Sequence, residues 1–261
     1  MDEQTPATTP DAQIGLGLPP AVRACLFDMD GVLTQTATIH AAAWKEMFDG
    51  YLQGLAQRTG EAFTPFDIGA DYGTYVDGKP RADGTRAFLE SRGITLAAGQ
   101  PDDRPGTETI AGLGNLKNEI VLRRIEQDGV TVYDGSIRYV RAARAAGLRC
   151  AVVTSSANAQ ALLRSADITD LFDVCVDGVA IAERHIPGKP APDTFLAAAH
   201  SLGVEAAEAA VFEDALAGVQ AGRAGRFALV VGVDRVGHAD ALRAHGADVV
   251  VADLDELLTS P

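Results

Sequence analysis

The chain has no run of about 18 apolar residues, so no membrane-spanning helix is expected. Cysteine is scarce. Cys25, Cys150 and Cys175 are odd in number and far apart, which argues against a disulfide framework or a cysteine-built zinc site. Each lies in an apolar, strand-like stretch and reads as a buried core residue, and a cytoplasmic setting fits. Positive charge is also short: 22 Lys and Arg stand against 36 Asp and Glu, a formal net charge of −14. An acidic chain of this kind has no general attraction for nucleic acid or anionic membrane surfaces. The start of the chain lacks a basic segment and an apolar core, so it is no signal peptide; residues 1–20 read as a disordered leader.

What is present begins with Asp28-Met29-Asp30, directly after the apolar run Val22 to Phe27. Two carboxylates one residue apart at the end of a buried strand repel each other. Desolvating them costs several kcal/mol unless a cation or hydrogen bonds compensate. A hard cation such as Mg²⁺ takes oxygen ligands and would cancel that repulsion. With such an ion in place, one carboxylate can attack phosphorus while its neighbour moves a proton.

From Arg149 onward short apolar runs alternate with helical patterns. Strands are expected at Cys150–Thr154, Phe172–Val176, Ala210–Phe212, Phe227–Val231 and Asp248–Val251. Helices are expected at Asn158–Ala166, Pro192–Leu202, Ala215–Ala224 and Ala239–Ala244. This alternation predicts an α/β fold, a doubly wound parallel sheet covered on both faces. Residues 36–133 read differently: Ala41–Leu55 and Lys117–Gln127 look helical, and Asp77–Gly84 and Gln100–Gly106 look like polar loops. The expected organisation is a core of 21–35 and 134–261 with a helical cap domain, 36–133, inserted over the carboxyl edge of the sheet. That edge is where open α/β sheets bind ligands.

Polar groups follow three of the apolar runs: Asp28 and Asp30, then Thr154-Ser155-Ser156, then Glu213-Asp214. In a parallel sheet these positions share one edge. Lys189, in Gly188-Lys189-Pro190-Ala191-Pro192-Asp193, sits in the loop before a helix at the same edge.

This set, in this order and spacing, resembles the haloacid dehalogenase superfamily in its phosphatase and mutase branch, from Arg23 to Leu258. The resemblance implies a Rossmann-like core and the following roles. Asp28 is the nucleophile that forms an aspartyl phosphate, and Asp30 is the general acid/base. Thr154 hydrogen-bonds the transferring phosphoryl group, with Ser155 and Ser156 beside it on the substrate. Lys189 neutralises phosphate charge and keeps Asp28 ionised. Mg²⁺ is held by Asp28, Asp214, Glu213 and the backbone carbonyl of Asp30.

Thr36, His40 and Trp44-Lys45 after the first motif are similar to the opening of the β-phosphoglucomutase group. That likeness implies further substrate contacts from the cap. Arg81 would hold the distal phosphate, Lys117 and Asn118 would reach the active site, and His40 would couple cap closure to proton movement at Asp30. Trp44 itself reads as core packing. The activity implied is interconversion of β-glucose 1-phosphate and glucose 6-phosphate by a monomer acting on a small sugar phosphate. The alternative is a sugar-phosphate phosphatase, which shares every core residue. Dehalogenation fits the Glu213-Asp214 pair poorly. A non-catalytic sugar-phosphate-binding module would be expected to lack Asp28 or Asp30.

Overall fold

Six strands form the centre of the computed structural model, which describes residues 15–259. They are β1 (Ala24–Phe27), β2 (Arg149–Val153), β3 (Val174–Val176), β4 (Ala209–Glu213), β5 (Leu229–Val233) and β6 (Val249–Val251). All neighbours pair in parallel, in the order β3-β2-β1-β4-β5-β6. Parallel strands need crossovers, which put helices on the faces of the sheet. Those helices include Asp134–Ala145, Ala159–Ser165, Gly178–Glu183, Asp193–Ser201, Leu216–Ala224 and Ala239–His245. The doubly wound α/β fold expected from the alternation is therefore the one observed. The chain steps outward from β1 to β3 and then returns to lay β4 against the other side of β1. The order reverses between β1 and β4, and open α/β sheets bind ligands beyond the carboxyl ends of strands at such a switch.

Successive strand residues point to opposite faces. Ala24 and Leu26 pack with Phe195, Ala198 and Leu202 on one face. Phe27 points to the other, stacked on its register partner Phe212 at 4.5 Å between ring centroids and met edge-on by Tyr139. Burying rings of this size contributes about 1.5–3 kcal/mol each, and both lie directly beneath the residues that follow β1 and β4. Cys25 and Cys150 are buried as expected, whereas Cys175 is only half-buried.

The disordered leader expected over 1–20 falls partly outside the described residues. Its end, 15–20, is not loose. Leu16 and Leu18 are buried, the Leu16 carbonyl accepts from Tyr139 Oη at 2.9 Å, and Thr259 N donates to Gly15 O. Two leucines and a buried phenol that needs an acceptor tie this stretch to the core.

The chain divides into two compact units, one running to Gln35 and resuming at Thr131, the other spanning Thr36–Val130. The return crossing comes three residues before the expected 133 because the two linkers pair. Gln35 N donates to Thr131 O, Tyr133 N donates to Leu33 O, and Thr34 bridges Val132 antiparallel.

The second unit holds three long helices, Ala37–Thr59, Arg81–Ser91 and Ile110–Asp128, with a π-helical turn at Tyr72–Val76. All three begin earlier than the sequence suggests, the first at Ala37 rather than Ala41. Residues Asp77–Gly84 are not all loop: Pro80 presets the backbone for a helix starting at Arg81, and Asp83 in the first turn suits the helix dipole. Ile110–Asp128 starts seven residues before Lys117, capped by Thr109 Oγ1, which accepts from Gly112 N. The segment 51–75 continues the first helix and then folds back. Phe66 is fully buried between Phe48 and Phe88. Its carbonyl accepts from Lys45 Nζ at 2.8 Å and its N–H donates to Asp49 Oδ1 at 2.7 Å, so one i,i+4 ion pair satisfies both backbone groups. No helix among the described residues is long and apolar enough to cross a membrane.

Candidate active site

The peptide N–H of Asp28 donates to Phe212 O at 2.9 Å and extends the β1–β4 ladder one residue past β1. This places the Asp28 side chain at the switch point, 6 % exposed. β4 ends one strand over in Glu213, which is fully buried, and Asp214 follows it. Ligand atoms of Asp28, Glu213 and Asp214 all lie within 4.8 Å of one another.

Lys189 closes this group. Its ammonium lies 2.5 Å from Asp28 Oδ1 and 2.5 Å from Glu213 Oε1, and it donates to Val153 O at 3.1 Å. A lysine 2 % exposed would lose its charge without partners. Burial alone drives its pKa down, but the carboxylates of Asp28 and Glu213 outweigh burial and hold it above the ordinary lysine value. Burial pushes Glu213 the other way, upward, opposed chiefly by Lys189 and reinforced by Asp28. The second oxygen of Glu213 accepts from Ala215 N at 2.8 Å, so this carboxylate is held at both ends.

Two glycines make room for the carboxylates. Gly31 has φ +88°, and a Cβ on it would run into the Asp214 carboxylate. A Cβ on Gly218 would run into Glu213. This glycine cradle, together with an oxygen-only donor set, fits a small hard cation rather than a soft one. The Asp30 carboxylate is not among the three clustered groups. It stands in a closed turn in which Met29 O accepts from Leu33 N, Thr34 N and Thr34 Oγ1, and Gly31 N donates to Thr34 O.

Thr154 continues β2 as Asp28 continues β1: its N–H donates to Val176 O, and it is 1 % exposed. Thr154 Oγ1 accepts from Ser156 N at 3.1 Å, and Ser156 Oγ accepts from Asn158 N at 3.3 Å. Ser156 is thus drawn into the turn that starts the next helix, while Ser155 is half-buried. Asp177, at the end of β3, is used as a helix cap, accepting from Val179 N and Ala180 N.

In the helical unit, His40 Nδ1 and Lys117 Nζ are 2.8 Å apart, and that ammonium sits 4.9 Å above the ring of Trp44. Trp44 is core packing, as expected, stacked on Phe48. Burial drives His40 well below the ordinary histidine value, and Lys117 adds to the shift. The Lys117 ammonium can only donate, so Nδ1 is the acceptor, which takes a neutral ring with its proton on Nε2. Asn118 follows Lys117 on the same helix. Arg81 opens its own helix, and its stem lies against Gly114, where a Cβ would crowd Arg81 Cγ at 3.3 Å. Burial lowers its pKa, and none of the described carboxylates forms an ion pair with it. Its Nη2 lies 3.5 Å from Asn115 Oδ1, and a half-buried guanidinium held in this way suits an anionic ligand.

One residue of consequence escaped the sequence reading. Arg235 donates from Nε to the carbonyl of Gly31 at 2.8 Å. The rule that found the other groups, polar residues just after an apolar strand, would have found it had β5 been carried to Val233 rather than stopped at Val231.

The haloacid dehalogenase-like hydrolase family pattern matches residues 22–226. A β-phosphoglucomutase of Mycobacterium tuberculosis is 58 % identical over 246 residues, 93 % of this chain and 94 % of that protein. The β-phosphoglucomutase of Bacillus subtilis is 30 % identical over 237 residues, 90 % of this chain and 92 % of the relative. Among solved structures, a β-phosphoglucomutase of Clostridium difficile superposes with a TM-score of 0.69 at 24 % identity, covering 90 % of this chain and 93 % of the other, a likeness of fold.

Proposed function

The chain belongs to the haloacid dehalogenase-like hydrolase family, and from that premise we propose that it interconverts β-glucose 1-phosphate and glucose 6-phosphate through a phosphorylated Asp28. The phosphoryl-transfer chemistry is carried by one observation: a buried lysine joins Asp28 to Glu213 at the switch point of the sheet. The choice of a mutase over a phosphatase follows the relative at 58 % identity.

Phosphoryl transfer asks the protein for in-line positioning and charge neutralisation. Lys189 keeps Asp28 ionised and therefore nucleophilic. The Asp28 oxygen forms a bond to phosphorus as the bond to the leaving sugar oxygen breaks. Asp30 gives its proton to that oxygen, and in the return half-reaction takes one from the attacking hydroxyl. Thr154 and Lys189 hold the phosphoryl oxygens, with Ser155 alongside. Asp28, Asp214 and Glu213, with the Asp30 carbonyl, would hold Mg²⁺, which would supply further neutralisation of phosphoryl charge. A bisphosphorylated sugar is the intermediate. Arg81 takes the phosphate that is not reacting, and Lys117, Asn118 and His40 contact the sugar. A mutase must also keep water from phosphorylated Asp28. A charged sugar phosphate does not leak across membranes, and with three free thiols this suits a cytoplasmic enzyme.

A product assay tests the reading. The protein is supplied with Mg²⁺, β-glucose 1-phosphate and a trace of β-glucose 1,6-bisphosphate, and glucose 6-phosphate and inorganic phosphate are followed together. The expected result is glucose 6-phosphate well in excess of free phosphate. Free phosphate alone would make the protein a phosphatase and remove the roles given to Arg81 and Lys117.

A further inference from the structure

Arg235 stands two residues beyond the end of β5, at the same sheet edge as Asp28 and Glu213. It is no solvated surface charge: its side chain is 13 % exposed. Besides the bond from Nε to Gly31 O, Nη1 donates to Ala252 O at 2.7 Å, and Nη2 donates to Ser136 Oγ at 3.3 Å with Val32 O at 3.5 Å. The guanidinium carbon lies 3.5 Å over the ring of Tyr133, and Nη1 is 3.5 Å from Asp253 Oδ2. The root of the side chain is fixed as well. Asp234, one residue earlier, accepts from the backbone N–H groups of Val236, Gly237, His238 and Ala239. A planar fork stacked on a ring and bonded along both edges is pre-organised in a way an ammonium is not.

What this fork grips is the turn just after Asp30. From inside, that turn is closed on Met29 O; from one side, Gly31 is packed against the Asp214 carboxylate. Arg235 takes the outward carbonyls of Gly31 and Val32 and closes the remaining side. Asp28 is held in the β1–β4 ladder; Asp30 lies in this turn, bridged to Thr34, so the turn helps set its place. We propose that Arg235 is a positioning residue that fixes Asp30 for its general acid/base role. This deepens, and rests on, the phosphoryl-transfer reading above.

The two leaving-group classes of phosphate ester separate positioning from general damage. With a sugar phosphate, the Asp28–phosphorus bond forms, the sugar oxygen–phosphorus bond breaks, and the sugar oxygen takes the proton of Asp30. With 2,4-dinitrophenyl phosphate the same bonds form and break, but the phenolate departs as an anion and needs no proton. Misplacing Asp30 therefore slows the first transfer and spares the second.

The experiment uses the full chain with Mg²⁺. It compares the pre-steady-state burst of dinitrophenolate with single-turnover conversion of β-glucose 1,6-bisphosphate to glucose monophosphate. Arg235→Met is expected to slow the sugar reaction about 10²-fold, the cost of a misplacement near 1 Å, while the burst rate stays close to wild type. Arg235→Lys is expected to recover little, because one ammonium cannot span Gly31 O, Ala252 O and Ser136 Oγ. Tyr133→Leu, which removes the platform and keeps the guanidinium, is expected to give a smaller loss with the same selectivity; it also serves if Arg235→Met does not fold. Equal losses on both esters, or no loss on the sugar, would overturn this inference alone. A wild-type protein that gives no burst would overturn the phosphoryl-transfer reading, and this inference with it.

Discussion

Each unit of the molecule buries one lysine at its candidate site, and the two are held in opposite ways. Lys189 lies between two carboxylates, Asp28 and Glu213, each 2.5 Å away. Lys117 lies against a neutral imidazole and the face of an indole. The α/β unit surrounds its cation with more negative charge than it can neutralise, since Asp214 stands within the same cluster. That excess is what a divalent cation would meet. The helical unit carries Lys117 and a half-buried Arg81, whose Nη2 reaches Asn115 Oδ1 at 3.5 Å and which forms no ion pair with any described carboxylate.

Removing each lysine in turn tests the contrast. Lys189→Met leaves Asp28 and Glu213 buried and facing one another, and breaking a buried pair in this way costs about 3–5 kcal/mol. Urea unfolding should show that loss, together with loss of turnover. Adding Glu213→Gln should restore part of the stability and none of the activity. Lys117→Met should cost less, because methionine still covers Trp44 and the groups left behind in its own unit are an indole and a neutral imidazole rather than two carboxylates. Similar losses for the two lysines would mean that Lys117 is not held in the way described.

The same difference governs what could be read from the sequence. Asp28, Thr154 and Glu213 are at or one residue beyond the ends of β1, β2 and β4, where the ladder dictates both position and direction. An apolar run followed by a polar residue therefore reveals them. Arg235 comes two residues after Leu229–Val233, and a strand stopped at Val231 hides it; Gly232, inside the strand, is packed against Ala247 and Leu242. The helical unit was harder to read for a related reason. Gly84, Gly112 and Gly114 look like helix breakers, yet each lies in a helix where a neighbour comes close: Val76 at Gly84, Thr107 at Gly112, and the Arg81 stem at Gly114. Close approach over a helix face is a tertiary fact that no local pattern contains. Phe66 was hidden in the same way, since its ring is placed by Phe48 and Phe88 and its backbone by Lys45 and Asp49.

The smallest expected effect concerns His40, and it separates burial from charge. Burial is the larger cause of its lowered pKa and Lys117 the lesser. A histidine that is neutral in the folded protein binds its proton first in the unfolded chain as pH falls. Its contribution is therefore present in full above the unfolded value of 6.5 and is lost below it, down to the depressed folded value. In that window one proton is worth about 1.4 kcal/mol per pH unit. Wild type should lose more stability than His40→Asn as pH falls through 6.5 in paired urea titrations; the asparagine oxygen can still accept from Lys117. Parallel pH dependence in the two proteins would show that His40 is already protonated when folded. In Lys117→Met the extra loss should persist, since burial remains. The folded-state pKa of His40 should nevertheless rise toward 6.5, readable from its imidazole NMR signals, because the neighbouring positive charge is gone.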